Sequence, residues 1–265
     1  MSSVPGENFQ LSEAQLGPGT VAIVTGAAEG LGKGFVECLL KKGAKGVCLV
    51  DINDRKGEET LRELTAKFGE DRVMFVKGDV TSDSDVEAAF SKTIEKFGHV
   101  NVMVNNAGLV NERQPEICYS VNTVGSTRGT YTAIKYMNPA NGGNGGKIIN
   151  IASEAGLMPI SHIPVYCASK LAVVGFTKSL AADPQFAEQG ITFGVLCPGL
   201  ANTHILEKAL YRDQESGVKQ ARELKATFGV MEISEVQDAF LRLLLDDSWS
   251  GKAMLATKRE GIKSV

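Results

Sequence analysis

The sequence predicts a single α/β domain in which a doubly wound parallel sheet is flanked by helices on both faces. Three observations point there. Short apolar runs rich in β-branched residues alternate with amphipathic stretches along most of the chain, a pattern that builds right-handed βαβ units. The runs are apolar throughout, as in strands covered on both faces by helices. A length of 265 residues suits one such unit, since α/β folds reach roughly 250 residues as one domain.

Each element follows in order. A strand at 21–24 (Val-Ala-Ile-Val) runs into a glycine-rich turn and a helix over 31–42. A strand at 47–50 leads to a charged helix over 54–68, and a strand at 73–76 to a helix over 84–97. In that last helix Val86, Phe90, Ile94 and Phe97 recur at helical spacing. Strands at 100–104, 147–151 and 191–196 continue the series, with helices over 116–137 and 165–182 between them. The glycine-rich run 141–146 is a turn. After Pro198 the pattern loosens into a helix over 203–211, a polar stretch, a helix over 234–245 and a short strand at 253–256. Residues 1–19 are expected to form a flexible extension, and 20–265 the domain.

Composition removes several function classes. Lys and Arg total 28 against 31 Asp and Glu, a net charge of −3, so no basic excess exists to meet a nucleic-acid backbone. The five cysteines form no C-x-x-C pair or Cys/His cluster, which argues against a disulfide framework or a zinc site. The first 20 residues lack the apolar core of a secretory signal and the arginines of a transit peptide. No apolar run approaches the roughly 18 residues of a membrane span. The final Lys263-Ser264-Val265 carries no lipidation or peroxisomal signal. The expectation is a cytoplasmic protein without a membrane span or a metal.

The first strand opens into Thr25-Gly26-Ala27-Ala28-Glu29-Gly30-Leu31-Gly32. Glycines here let backbone N–H groups approach a pyrophosphate, whose charge a helix N-terminus favours. The spacing is G-x-x-x-G-x-G and not the G-x-G-x-x-G of the common fingerprint. Asp51 ends the second strand, where a carboxylate can accept both hydroxyls of an adenosine ribose and repel a 2′-phosphate. The same Asp could simply cap the helix beginning near Asp54. Asp79-Val80 follows the third strand on the same sheet edge, and Asn105-Asn106-Ala107-Gly108 follows the fourth. Together these residues specify a Rossmann-like sheet that binds NAD.

Tyr166 and Lys170 stand one turn apart on one helix face. A free phenol, with a pKa near 10, is too weak a base at neutral pH. A lysine ammonium and an oxidised nicotinamide would both favour the phenolate. Ser153 follows the strand at 147–151 and can steady the oxygen of an alcohol or ketone. Asn122 is a poor helix former within the helix over 116–137, and can mark a distortion that holds a water for proton relay. These four groups suit hydride removal from a secondary alcohol: Ser153 places the hydroxyl, Tyr166 takes its proton, Lys170 lowers the phenol's pKa and Asn122 anchors the relay. His162 lies close enough in sequence to contact substrate, whereas His99, His204, Cys167, Cys197 and Trp249 read as packing or surface residues.

The loop 25–32, Asp51, Asp79, residues 105–108, Asn122, Ser153, Tyr166 with Lys170, and Pro198-Gly199 stand in the order and spacing of the short-chain dehydrogenase/reductases, which the chain resembles from about residue 20 to 203 and more loosely beyond. The resemblance implies NAD(P) contacts from Gly26, Ala28, Glu29, Gly30, Leu31, Gly32, Asp51, Ile52, Asp79, Val80, Asn106, Ala107, Gly108, Tyr166 and Lys170. It adds Ala201, Asn202 and Thr203 closing over the nicotinamide, within a substrate lid over roughly 200–232. It also implies a homodimer or homotetramer joined through the helices that carry Asn122 and Tyr166.

Within the family the chain is most similar to the NAD-dependent branch that oxidises prostaglandins and related hydroxylated fatty acids. The likeness lies in Gly129-Thr130-Tyr131, Ala155-Gly156-Leu157-Met158-Pro159, residues 164–170 and 174–177, Cys197-Pro198-Gly199 and Asn202-Thr203. The departures fall where substrate would lie. Ile163, beside His162, replaces a glutamine; Leu200 replaces an aromatic; Phe228 precedes Gly229 in place of an aromatic hydroxyl. Ser153, Ile163, Tyr166 and Leu200 are thus the expected contacts for a small lipid-like alcohol or ketone. A retinoid, steroid or isoprenoid alcohol fits the same frame, and a non-catalytic NAD-binding protein that senses redox state or mediates interactions is the rival of another class.

Overall fold

In the first strand, Ala22 and Val24 face one apolar cluster while Val21 and Ile23 face another, because successive strand residues point to opposite sides. That double burial is why the strand reads as an unbroken apolar run. The computed structural model describes residues 16–265. Of the expected extension, 1–15 lie outside the described residues; Leu16 is buried, and its N–H donates to the Lys42 carbonyl at 2.7 Å.

The elements are β1 (Val21–Thr25), α1 (Gly30–Lys41), β2 (Gly46–Asp51), α2 (Asp54–Phe68), β3 (Val73–Lys77), α3 (Asp83–Phe97), β4 (Val102–Asn105), α4 (Pro115–Tyr119), α5 (Ser126–Met137), β5 (Gly146–Ile151), α6 (Pro164–Ala181), α7 (Pro184–Glu188), β6 (Ile191–Pro198), α8 (Gln214–Phe228), α9 (Ile233–Leu245), β7 (Ala253–Thr257) and β8 (Gly261–Ser264). The sheet order is β3-β2-β1-β4-β5-β6-β7-β8. Every pairing is parallel except β7 with β8, which is antiparallel. Helices α1 and α9 cover one face through Phe35, Leu39, Val236 and Phe240. Helices α3 and α5 cover the other through Phe90, Phe97, Ala133 and Met137. Strand order reverses between β1 and β4, and a crevice opens there at the carboxyl ends of the strands. Among the described residues no helix is long and apolar enough to cross a membrane.

The chain after Pro198 departs from expectation. No helix forms over 203–211; that stretch is a series of turns. Its backbone is drawn instead onto the loop after β4, where Glu112 N donates to Leu210 O at 2.7 Å and Leu210 N to Val110 O at 3.0 Å. The stretch read as polar holds α8, capped by Asp213, whose side chain accepts from Ser216 N. Its inward residues include Gly217 and Ala221, too small to announce an apolar stripe. Short α7 and β8 also had no clear periodic signal.

Rings of Phe35 and Phe240 stack at 4.5 Å between α1 and α9, both fully buried. Phe240→Ala is expected to lower stability by about 3–5 kcal/mol, read as a fall in the urea midpoint at constant slope. A loss under about 1 kcal/mol would show that this layer can collapse into the vacancy.

Candidate active site

The crevice begins with a clasp between β1 and β4. Thr25 Oγ1 accepts from Asn106 N at 3.0 Å and Ala107 N at 3.1 Å. Asn106 Nδ2 in turn donates to the Thr25 and Gly26 carbonyls at 2.9 and 3.1 Å. The loop that follows turns at Gly26, whose φ is +62°. A Cβ on Gly32 would sit 2.1 Å from the Gly26 carbonyl oxygen, so only glycine lets the start of α1 close against the strand end. Asp51 braces the loop from β2: Oδ2 accepts from Ala28 N at 3.0 Å and Oδ1 from Asn53 N at 2.9 Å. The cap of α2 is Asn53 rather than Asp51. Asp79 Oδ1 accepts from the N–H and hydroxyl of Thr81, both at 2.8 Å.

The cradle runs into one continuous cavity of about 640 Å³. Gly26, Glu29, Gly30, Leu31, Asp51, Ile52, Asp79, Val80, Asn106, Ala107, Gly108, Ala201 and Thr203 line it, together with Ser153, Ile163, Tyr166, Lys170 and Leu200. Four expected residues do not line it. Ala28 is buried against Asp51, and Gly32 backs the loop. Asn202 N donates to Met231 O at 2.9 Å, and Asn122 is fully enclosed.

The reacting groups are held by packing more than by local propensity. Lys170 is buried, and its Nζ donates to the Ile151 carbonyl at 2.8 Å while lying 5.8 Å from the Tyr166 ring centroid. A Cβ on Gly156 would stand 2.8 Å from the Lys170 carbonyl, so glycine lets the turn after Ser153 lie on α6. Ser153 lines the cavity with Tyr166, and its Oγ accepts from Ala155 N at 3.2 Å. Asn122 lies in a π-type turn, Ser120–Gly125, between α4 and α5. Its Oδ1 accepts from Leu109 N at 2.9 Å, and its Nδ2 donates to Leu109 O and Ser169 Oγ, each at 2.9 Å. The side chain therefore clamps the loop after β4 to α6. Its main-chain carbonyl accepts from Ser126 Oγ at 2.8 Å.

Burial sets the electrostatics. Loss of water pushes the Tyr166 phenol above its ordinary range, against the hydrogen bond from Ser153. The same cause pulls the Lys170 ammonium down to about 8. Desolvation disfavours both charged forms, whereas the expectation of a favoured phenolate calls on Lys170 and an oxidised nicotinamide together. Burial also holds His162 below the usual imidazole range, against the charge of Glu112 and a hydrogen bond with Gln220. His162 Nε2 is buried without a partner.

Sequence reasoning missed three contributors. Glu112 reaches the first turn of α6, accepting from Val165 N and Tyr166 N. Lys208 pairs with Glu29 across the cavity mouth. Helix α8 supplies Ala221 and Leu224 to the wall. None has a local signature, since each partner is remote in the chain.

The short chain dehydrogenase family model matches residues 20–214. The chain is 39% identical to the 15-hydroxyprostaglandin dehydrogenase [NAD(+)] of Rattus norvegicus over 249 residues, 92% of this chain and 93% of that one. It is 35% identical to 3beta-hydroxysteroid dehydrogenase 2 of Eggerthella lenta over 207 residues, 74% of this chain and 77% of that one. Among solved structures, a short chain dehydrogenase/reductase from Burkholderia phymatum in complex with NAD superposes with a TM-score of 0.79 at 25% identity, covering 89% of this chain and 88% of that one.

The clasp makes a prediction independent of any ligand. Thr25→Val leaves two N–H groups facing a methyl, and is expected to lower stability by about 1–3 kcal/mol in chemical denaturation. A neutral result would mean that water replaces the hydroxyl.

Proposed function

The chain belongs to the short-chain dehydrogenase family, and from that premise we propose that it oxidises a secondary alcohol on a lipid-like molecule to the ketone, using NAD+. One observation carries the reading: a single cavity joins the Gly26–Gly30 cradle and Asp51 to Ser153, Tyr166 and Lys170, and then to an apolar wall. Gly26 and Gly30 turn the loop at φ of +62° and +58° and leave the backbone N–H groups at the start of α1 open to a pyrophosphate. Asp51 favours NAD, since its carboxylate opposes a 2′-phosphate.

Bound NAD+ supplies the hydride acceptor. Ser153 Oγ holds the alcohol oxygen beside Tyr166, which lines the same cavity. Tyr166, ionised by the nearby positive charges of Lys170 and the bound cofactor, would take the hydroxyl proton as hydride leaves the carbon. Lys170, fixed by the Ile151 carbonyl, holds the nicotinamide ribose and adds positive charge beside the phenol. Asn122 locks α6 to the loop after β4 through Ser169, and its main-chain carbonyl offers the onward step of the relay. Segment 200–232 acts as the lid, tied to the cradle by Lys208 and Glu29.

The far wall is built of Val110, Ile117, Ile160, Ile163, Leu206 and Leu224, which suits an apolar chain or ring system. The names of the relatives support an alcohol of prostaglandin or steroid type; Ile163 and Leu200 decide between them. His162 lies where this cavity adjoins a smaller one of about 360 Å³. The family's usual homodimer or homotetramer belongs to the same proposal. Exposed Tyr131 and Leu171, with Phe176 edge-on to Tyr131 at 5.7 Å, form an apolar face across α5 and α6. All five cysteines are free thiols, in keeping with a cytoplasmic location.

The test is NADH formation with prostaglandin E2 in parallel with hydroxy fatty acids, retinol, farnesol and steroid alcohols. At least one is expected to turn over, and Tyr166→Phe to lower kcat by about 10²–10⁴ with NAD+ affinity nearly unchanged. Silence on the whole panel, or an active phenylalanine variant, contradicts the reading. Leu171→Arg is expected to yield monomers by light scattering; an unchanged mass would place the interface elsewhere.

A further inference from the structure

We infer that Glu112 is a positioning residue for the reaction, setting Tyr166 by capping the helix that carries it; this rests on the dehydrogenase reading above. Helix α6 starts without help from its own neighbourhood. Ile163 stands at its N-cap with no side-chain hydrogen bond, and Pro164 fills the first helical position. The next two N–H groups, those of Val165 and Tyr166, would be orphans. Both are taken by one carboxylate: Glu112 Oε2 accepts from Val165 N at 3.1 Å and Oε1 from Tyr166 N at 2.9 Å.

Glu112 is only 3% exposed. A buried carboxylate is costly unless it is well hydrogen-bonded, and here the amide dipoles at the start of a long helix supply the compensation. One of the two amides belongs to the proposed base itself, so the backbone of Tyr166 cannot shift without breaking that bond. The other end of Glu112 is also fixed, its N–H donating to Leu210 O at 2.7 Å. Arg113 extends the tie, with Nε donating to Tyr211 O at 2.8 Å. Residue 112 thus stands where segment 200–232 meets the first turn of α6, and the seating of that segment and the setting of Tyr166 share one short stretch of chain.

A bidentate cap makes a sharper demand than packing. A glutamine of the same shape keeps one acceptor and turns an NH₂ toward the second amide, so the first turn loosens while the core is undisturbed. Misplacement of a reacting group by about 1 Å can lower a rate about 100-fold.

The experiment compares Glu112→Gln and Glu112→Ala with the wild-type chain, using the best alcohol of the panel and its deuterated form at the reacting carbon. Active sites are counted by NADH binding. For Glu112→Gln, kcat per site should fall at least about 10-fold, with KM and NADH affinity nearly unchanged and a larger deuterium isotope effect on kcat. Hydrogen exchange at the Val165 and Tyr166 amides should quicken. A merely structural role would lower thermal stability and the number of sites, leaving kcat per site and the isotope effect as they were. Should Glu112→Ala fail to fold, Glu112→Gln still decides. Unchanged exchange at these amides, or kcat per site equal to wild type, overturns the proposal. If the wild-type chain oxidises no alcohol, the function reading fails separately, and the exchange measurement alone decides the cap.

Discussion

The removal of water from Tyr166 and Lys170 is the constraint on which the rest of the site depends. A phenol and an ammonium left in solvent would keep their ordinary behaviour and do nothing useful at neutral pH. Buried together, both are pushed toward their neutral forms, so positive charge brought beside the phenol acts with little screening. The chemistry is latent in the chain and is released by what enters the cleft.

Keeping water out requires that several segments meet at one helix. Gly156 lets the turn after β5 lie directly on the Lys170 backbone. Asn122 reaches from a π-type turn to Ser169, and π-type turns recur at functional sites because the extra residue re-aims a side chain. Glu112 fills the helix start from below. The parallel sheet makes this economical. Its strand ends gather the loops after β1, β4, β5 and β6 at one edge, and the reversal of strand order leaves a crevice there.

What could be read in the residues was local. The cradle 25–32 and the Tyr166–Lys170 pair are contained within eight and five residues, so each can be seen in one local stretch, and its meaning comes from the company of the other motifs. Buried strands announced themselves through unbroken apolar runs. The unreadable parts share a physical reason, namely partners distant in sequence. Residues 203–211 have the composition of a helix but pair their backbone with Val110 and Glu112, so tertiary contact overrides propensity. Helix α8 hides its inner face because Gly217 meets the ring of Tyr211, where a larger residue cannot fit. Glu112 is a lone loop carboxylate until α6, more than fifty positions on, is folded over it. The direction of the Tyr166 shift was also beyond spacing, because burial is a property of the assembled fold.

The most direct test is a spectroscopic titration of tyrosinate, taken as the difference between the wild-type chain and Tyr166→Phe so that the other four tyrosines cancel. Without cofactor, Tyr166 should remain protonated through the range where free phenols ionise, near pH 10. With NAD+ bound, the same single step should move toward neutral pH. A Tyr166 step that sits at the same pH with and without NAD+ would contradict the account, because the phenol would then owe nothing to the charge the cleft is built to receive.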